Sequence, residues 1–412
     1  MSNKEKDLWF SINPFVYFEI KKNAALLYNS LSKEMVILED KNMLSVLQRL
    51  HDSERGGIWV SQHEYESDFF QNLNNLFHKY HFGKSHPINQ HKEPIVFQNE
   101  LFFEKNFFDY SGDKEFAAYH SKDLFEELIQ VNIYVTSYCE NKCSICHMAA
   151  KQSLFCYSDD RTSSFMSCET FRKIIQILYH QNCVINILGG DISKHPKLDE
   201  LMTIISSFPQ KNVTLYLNST ILESTMNTIS NHLPPNLSFV LLFNSVKEYK
   251  TFCHLNQIPT IVINKRIVLV FSETDLIEMT NCDDDSVTII PIYDGSNMEF
   301  FEQFVYLNEK DLQDKKLSLE DILINKRMNV LNYGILFIQP DNSVSSCFCN
   351  TEIGRLEEGI ENLLWREMKR KDGWVKTRTE KPCNDCVYQF LCPPPSNYEL
   401  AIGKPNLCTI KP

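Results

Sequence analysis

Residues 131–148 read VNIYVTSYCENKCSICHM. The opening VNIYVTS is rich in β-branched and apolar residues, as a buried strand is. Cys139, Cys143 and Cys146 follow it directly, spaced C-x3-C-x2-C. Beyond them the same unit recurs. A helix is expected at Glu169–His180, a strand in CVINILGG, a helix at Leu198–Ser206 and a strand in NVTLYLNS. A helix at Ile221–Ile229, the strand LSFVLLFN and a helix at Val246–Leu255 come next. A strand in TIVINKRIVLVF, a helix at Thr274–Met279 and the strand SVTIIPIY complete the series. Buried strands alternating with helices argue for βα units and a parallel sheet. Roughly six such units fit either an open doubly wound sheet or a partial barrel, and periodicity does not choose.

Upstream, FVYFEIK and AALLYNS flank the turn Lys22-Asn23, and EMVILE follows, a hairpin with a third strand. Apolar residues at helical spacing predict helices at Asn42–Asp52 and Gln62–Tyr80, separated by Gly56-Gly57. A small sheet with two or three helices resembles a winged-helix module; a plain α+β subdomain is the other reading. The segment 86–125 is aromatic without a clear period and is read as a linker packed on the next domain. After residue 330, GILFIQPDNSVSS reads as a hairpin and Gly359–Arg370 as a helix. The expected domains are 1–85, the linker 86–125, 126–330 and 331–412.

The bulk numbers set bounds. A chain of 412 residues exceeds one ordinary core. Its 43% hydrophobic and 23% charged residues are those of a folded protein. The net charge of −12 and the lack of a basic stripe argue against nucleic acid as a partner. No signal-like start and no long apolar run argue against a membrane and for the cytoplasm. In that reducing compartment 14 cysteines are not expected to be disulfides.

Seven of the cysteines fall into two groups. Thiolates favour iron–sulfur clusters and zinc. A [4Fe–4S] cube takes one cysteine per iron. Three in one short loop would leave one iron free to bind a small molecule, at the strand end where α/β sheets place their chemistry. A zinc site completed by His147 or Cys156 is the alternative. The second group is Cys383, Cys386 and Cys392, spaced C-x2-C-x5-C, with Cys408 beyond. Four thiolates at that spacing fit a cube or a structural zinc. Cys156, Cys168, Cys183, Cys253 and Cys282 read by default as small buried hydrophobes.

The C-x3-C-x2-C loop after the first strand of a βα series resembles the radical SAM enzymes. That resemblance implies a partial (β/α)6 barrel. It implies a [4Fe–4S] cluster on Cys139, Cys143 and Cys146 whose open iron chelates S-adenosylmethionine (SAM). Reductive cleavage of SAM would then give a 5′-deoxyadenosyl radical that abstracts a hydrogen atom. The family's GGE-like run is matched by Gly189-Gly190-Asp191, and Asn218 and Ser219 resemble its run near SAM. The C-terminal cysteines resemble a SPASM domain with one auxiliary [4Fe–4S] cluster on Cys383, Cys386, Cys392 and Cys408. Where the SPASM pattern has a further cysteine this chain has Ser396. It carries Cys347 and Cys349 but no cysteine after Gly354 or Gly359, so the inner auxiliary cluster is expected to be missing.

The N-terminal LWFSINPFVYFEI and the C-terminal CPPPSNYELAIGKPNLC together resemble the pseudo-radical-SAM/SPASM proteins that accompany double-glycine-leader peptides. That narrower resemblance implies a ribosomally made precursor peptide as partner, its leader captured as an added strand on residues 8–80. It also implies a flavodoxin or ferredoxin as reductant, and two candidate roles. One is a peptide maturase acting by hydrogen-atom abstraction. The other is a catalytically degenerate partner that presents the peptide to a paralogous maturase.

Overall fold

A computed structural model describes residues 7–53, 55–89, 92–96, 124–141, 143–157, 164–229, 233–254, 263–282, 284–348, 352–370 and 372–410. The N-terminal region holds two three-stranded antiparallel sheets. In one, β1 (Leu8–Ile12) is the centre between β5 (Gly57–Val60) and β6 (Gly83–Pro87). The other is the meander β2 (Val16–Lys21), β3 (Ala24–Asn29), β4 (Met35–Leu38). Helices Lys41–His51 and Asp68–Lys79 close one core over Phe10, Leu27, Leu47, Phe70 and Phe77. The expected helix 62–80 is two pieces, broken where Ser67 starts the second.

A nine-stranded sheet makes the body. Its parallel strands are β7 (Gln130–Thr136), β8 (Val184–Gly189), β9 (Val213–Asn218), β10 (Leu237–Phe243), β11 (Ile263–Val270) and β12 (Val287–Pro291). They lie side by side in chain order, without the reversal a doubly wound sheet requires. Strands β7, β8 and β10 are buried on both faces along most of their length. Val131, Ile133 and Val135 join Ile187, Leu217 and Phe243 in the core shared with the flanking helices. The alternate residues Tyr134, Leu188 and Tyr216 face the other side, and Val240 and Leu242 build a second core there.

The sheet continues past β7. Strand β13 (Ile335–Ile338) pairs with it in parallel, followed by antiparallel β14 (Ser343–Ser345) and β15 (Glu352–Arg355). The C-terminal cysteine segment packs on the N-terminal meander, where Tyr17, Leu26 and Tyr28 meet Val387, Tyr388 and Leu391. Lys21 Nζ donates to Gln389 Oε1 at 2.7 Å across the same junction.

The expected linker lies partly outside the described residues, at 90–91 and 97–123. Its near end packs on the N-terminal region, with Val96 N–H donating to the Arg55 carbonyl. At its far end Leu124 and Leu128 enter the main core. Among the described residues no helix is long and apolar enough to cross a membrane.

Candidate functional site

Strand β7 ends at Thr136, and the chain turns through Tyr138 to Cys139. Helix 146–152 begins at Cys146, so strand and helix hold the two ends of the cysteine loop. Gln152 clamps that helix to the far side of the sheet. Its Nε2 donates to the Tyr293 carbonyl and its Oε1 accepts from the Tyr293 N–H, both at 2.8 Å, just past β12. Burial pushes the Cys143 thiol up, and neighbouring Cys146, Cys139 and Glu248 add to the rise. The three sulfurs of the first group thus lie within one another's field.

The loops after β8 and β9 meet this loop. Gly190 N–H donates to the Thr136 carbonyl and Asp191 N–H to the Tyr138 carbonyl at 2.7 Å. A Cβ on Gly190 would come within 2.8 Å of the Cys139 Cβ, so the close approach itself requires glycine. Gly189 ends β8 against Thr136. Asp191 is buried, and its Oδ1 accepts from the Ser193 N–H at 3.1 Å and hydroxyl at 2.5 Å, capping a short 3-10 turn. From β9, Asn218 Nδ2 donates to Asn244 Oδ1 at 3.0 Å and points at the Cys156 sulfur, 3.9 Å away. Ser219 donates to Glu248, and Asn141 Nδ2 donates to Thr220 Oγ1 at 2.9 Å. The structure therefore brings Cys139, Cys143, Cys146, Gly189, Gly190, Asp191, Asn218 and Ser219 to one end of the parallel sheet.

Cys156 joins them, against the default reading of a core filler. The Cys146 thiol donates to its carbonyl at 3.3 Å, and hydrogen bonding to the Cys146 sulfur pushes the Cys156 thiol well up, with burial and the other two cysteines adding to it. The sequence offered it only as a core filler or as one completion of a zinc site, because ten residues and a helix separate it from Cys146. It missed the aromatic wall beside it, where Tyr157 stacks on His147 with ring centres 5.3 Å apart and meets Tyr134 edge-on. His195 went unread too. It is buried beyond the Asp191 turn, its Nε2 3.0 Å from the Met166 carbonyl and its Nδ1 accepting from the Lys197 N–H.

The second group converges separately. Cys383, Cys386, Cys392 and Cys408 line one cavity with Arg378, Gln389 and Asn406. Burial pushes Cys392 up to about 12, and Arg378 works against it. Arg378 Nη1 lies 3.7 Å from the Cys383 sulfur and 2.7 Å from Glu399 Oε1, with both members of this ion pair buried. Asn406 Nδ2 donates to the Cys408 sulfur at 3.1 Å. Among the described residues no three His, Cys, Asp or Glu side chains crowd around one point closely enough for a single metal ion. Tetrahedral zinc, with bonds of about 2.3 Å, draws on the same four thiolates. A cube spreads its thiolates wider, one per iron, and four thiols around a shared cavity supply that donor set.

Cys347 is disulfide-bonded, against the expectation of thiols throughout. Cys349 lies outside the described residues.

A scan against protein-family models and a search of curated proteins return no match. Among solved structures the chain is similar to Streptococcus suis SuiB bound to S-adenosylmethionine, at 12% identity and a TM-score of 0.45, covering 96% of this chain and 97% of that one. It is similar to the same protein bound to precursor peptide SuiA at 12% identity and a TM-score of 0.44, covering 98% and 99%. At that identity and superposition the likeness carries no weight for the chemistry, which rests on the residues above.

Proposed function

We propose that the chain is a radical-SAM-type peptide maturase with a [4Fe–4S] cluster on Cys139, Cys143 and Cys146. One observation carries this reading. Three thiols at the end of the first parallel strand lie against a glycine turn and the end of β9, so three candidate protein ligands and the turns after β8 and β9 share a single mouth. Gly189 and Gly190 keep side chains out of that mouth. Asn218 and Ser219 offer polar groups on its far wall. When bound, the cluster and SAM would supply one-electron chemistry and hydrogen-atom abstraction.

In the same reading, residues 126–330 form a partial (β/α)6 barrel and 331–412 a SPASM-like domain with one auxiliary cluster. Residues 1–85 are a winged-helix-like peptide-recognition module. Among the described residues β2 and β4 are the edge strands of its β2–β3–β4 sheet, where an extended leader peptide would add as a strand. A cytoplasmic flavodoxin or ferredoxin would be the reductant.

Anaerobic reconstitution with SAM and dithionite tests the enzyme. Release of 5′-deoxyadenosine is expected, and none from a protein with a full iron count would sink this reading. The Asp191 carboxylate favours a second one, because an oxygen already spent on Ser193 caps a turn instead of reaching a ligand. A degenerate partner would bind precursor peptide without turnover and co-purify with a paralogous maturase. A mass shift in the peptide produced by this chain alone would exclude that.

A further inference from the structure

We infer that Cys156 is a fourth, exchangeable thiolate of the Cys139–Cys143–Cys146 site. It occupies the iron corner that those three leave free, and SAM must displace it. This rests on the cluster proposed above.

Three features of the structure carry it. Cys156 is buried on the inward side of the sheet, with Ala149, Val240, Leu242 and Ile267 around it. A core-filling cysteine would need nothing more. Yet the Cys146 thiol donates to its carbonyl at 3.3 Å, which sets the two cysteines side by side. The Asn218 amide is aimed at its sulfur from the end of β9. Its environment is therefore polar and sulfur-rich on the side that faces the loop, and apolar on the other. The remaining buried cysteines differ. Cys168 lies by the Lys197 carbonyl and Cys183 by the Lys211 ammonium.

The chemistry is ligand exchange and moves no electrons. On binding iron the Cys156 thiol releases its proton to solvent, since only thiolates ligate. When SAM arrives, its amino and carboxylate groups take the iron, and the departing thiolate regains a proton. Asn218 has a place in both states. Its Nδ2, held by Asn244, would donate to sulfur in one and face the incoming ligand in the other. A cube ligated at every corner also resists loss of an iron, so Cys156 would guard the cluster between turnovers.

The test uses the full chain, reconstituted anaerobically, as wild type, Cys156→Ala, Cys156→Ser and Cys168→Ala. Each is treated with ferricyanide and followed by EPR for conversion of four-iron to three-iron clusters. The wild type and Cys168→Ala should keep the four-iron cluster at this site. Cys156→Ala should lose it to a three-iron signal, and 2-mercaptoethanol, a small thiol that can fill the corner, should restore resistance. SAM should perturb the reduced signal at lower concentration in Cys156→Ala and Cys156→Ser than in wild type. Equal conversion of wild type and Cys156→Ala at equal iron content would overturn the inference and leave the cluster intact. A wild type without iron at the triad would remove the proposed function itself.

Discussion

The two cysteine groups use the same ligand chemistry in opposite settings. The first hangs in a loop between a strand and a helix, with Cys139 and Cys143 partly exposed. The second is sunk into a junction between chain termini, with Cys383 and Cys392 buried and the meander β2–β4 packed against it. Glu248 lies in the first group's field, while the second lies under the guanidinium of Arg378. A cluster's potential follows the charge and hydrogen bonds around its sulfurs. A negative neighbour would hold the first cluster low, fit for reducing chemistry. A positive one, with the Asn406 amide on Cys408, would raise the second. The contrast teaches that an open, reactive site is hung from rigid elements, whereas a closed one is part of the core.

The sharpest way to break this contrast is to empty each site in turn. Replacing Cys139, Cys143 and Cys146 together with Ala should remove roughly four irons, one cube, and leave the thermal melt nearly unchanged. Replacing Cys383 and Cys386 should remove a cube and also lower the melting temperature, because the terminal junction depends on that segment. Equal effects of the two changes on the melt would erase the distinction. Next in size is Arg378→Met, which strands Glu399 as a buried, unpaired carboxylate. A loss of roughly 3–5 kcal/mol in denaturant unfolding is expected. Gly190→Ala should cost about 1–3 kcal/mol through overpacking against Tyr138 and Cys139, and lower iron at the first site only. Counting iron in that variant would show whether the turn shapes the loop.

The smallest effect concerns pH. Burial lowers the His195 pKa below its ordinary 6.5, with the Met166 carbonyl opposing the shift. A base with a depressed folded-state pKa binds its proton more readily when unfolded. The stability it contributes is therefore present above pH 6.5 and is lost as pH falls through the folded pKa. Melting temperatures across this window should drop less in His195→Gln than in wild type. Parallel curves would show that His195 does not titrate against the fold.

Much of this was legible from residue pattern. The six parallel strands announced themselves by β-branched runs, and the helix at Leu198–Ser206 ran between the residues expected. Both cysteine groups stood out by spacing alone. Strand β6, Gly-Lys-Ser-His-Pro, was invisible because none of its residues favours a strand; it forms because β1 needs a partner on that side. Strand β5 was hidden behind Gly56-Gly57, read only as a breaker. The helices 298–304, 309–314 and 319–327 were not read, and the last two are short segments fixed by Asn308 and Ser318 capping boxes. Cys156 stood in the sequence only as one completion of a zinc site, since only the return of the chain after helix 146–152 brings it to the triad.

Strand β13 occupies the flank of β7 that the βα series leaves open. A chain cut at residue 330 would thus bare a row of unpaired backbone amides and carbonyls along the very strand that leads into the first cysteines. Such an edge invites pairing with other chains, so the shortened protein should aggregate rather than survive as a smaller fold. The tail is thereby a dependency of the parallel sheet, and engineering that treats the two as interchangeable parts would have to supply a replacement strand.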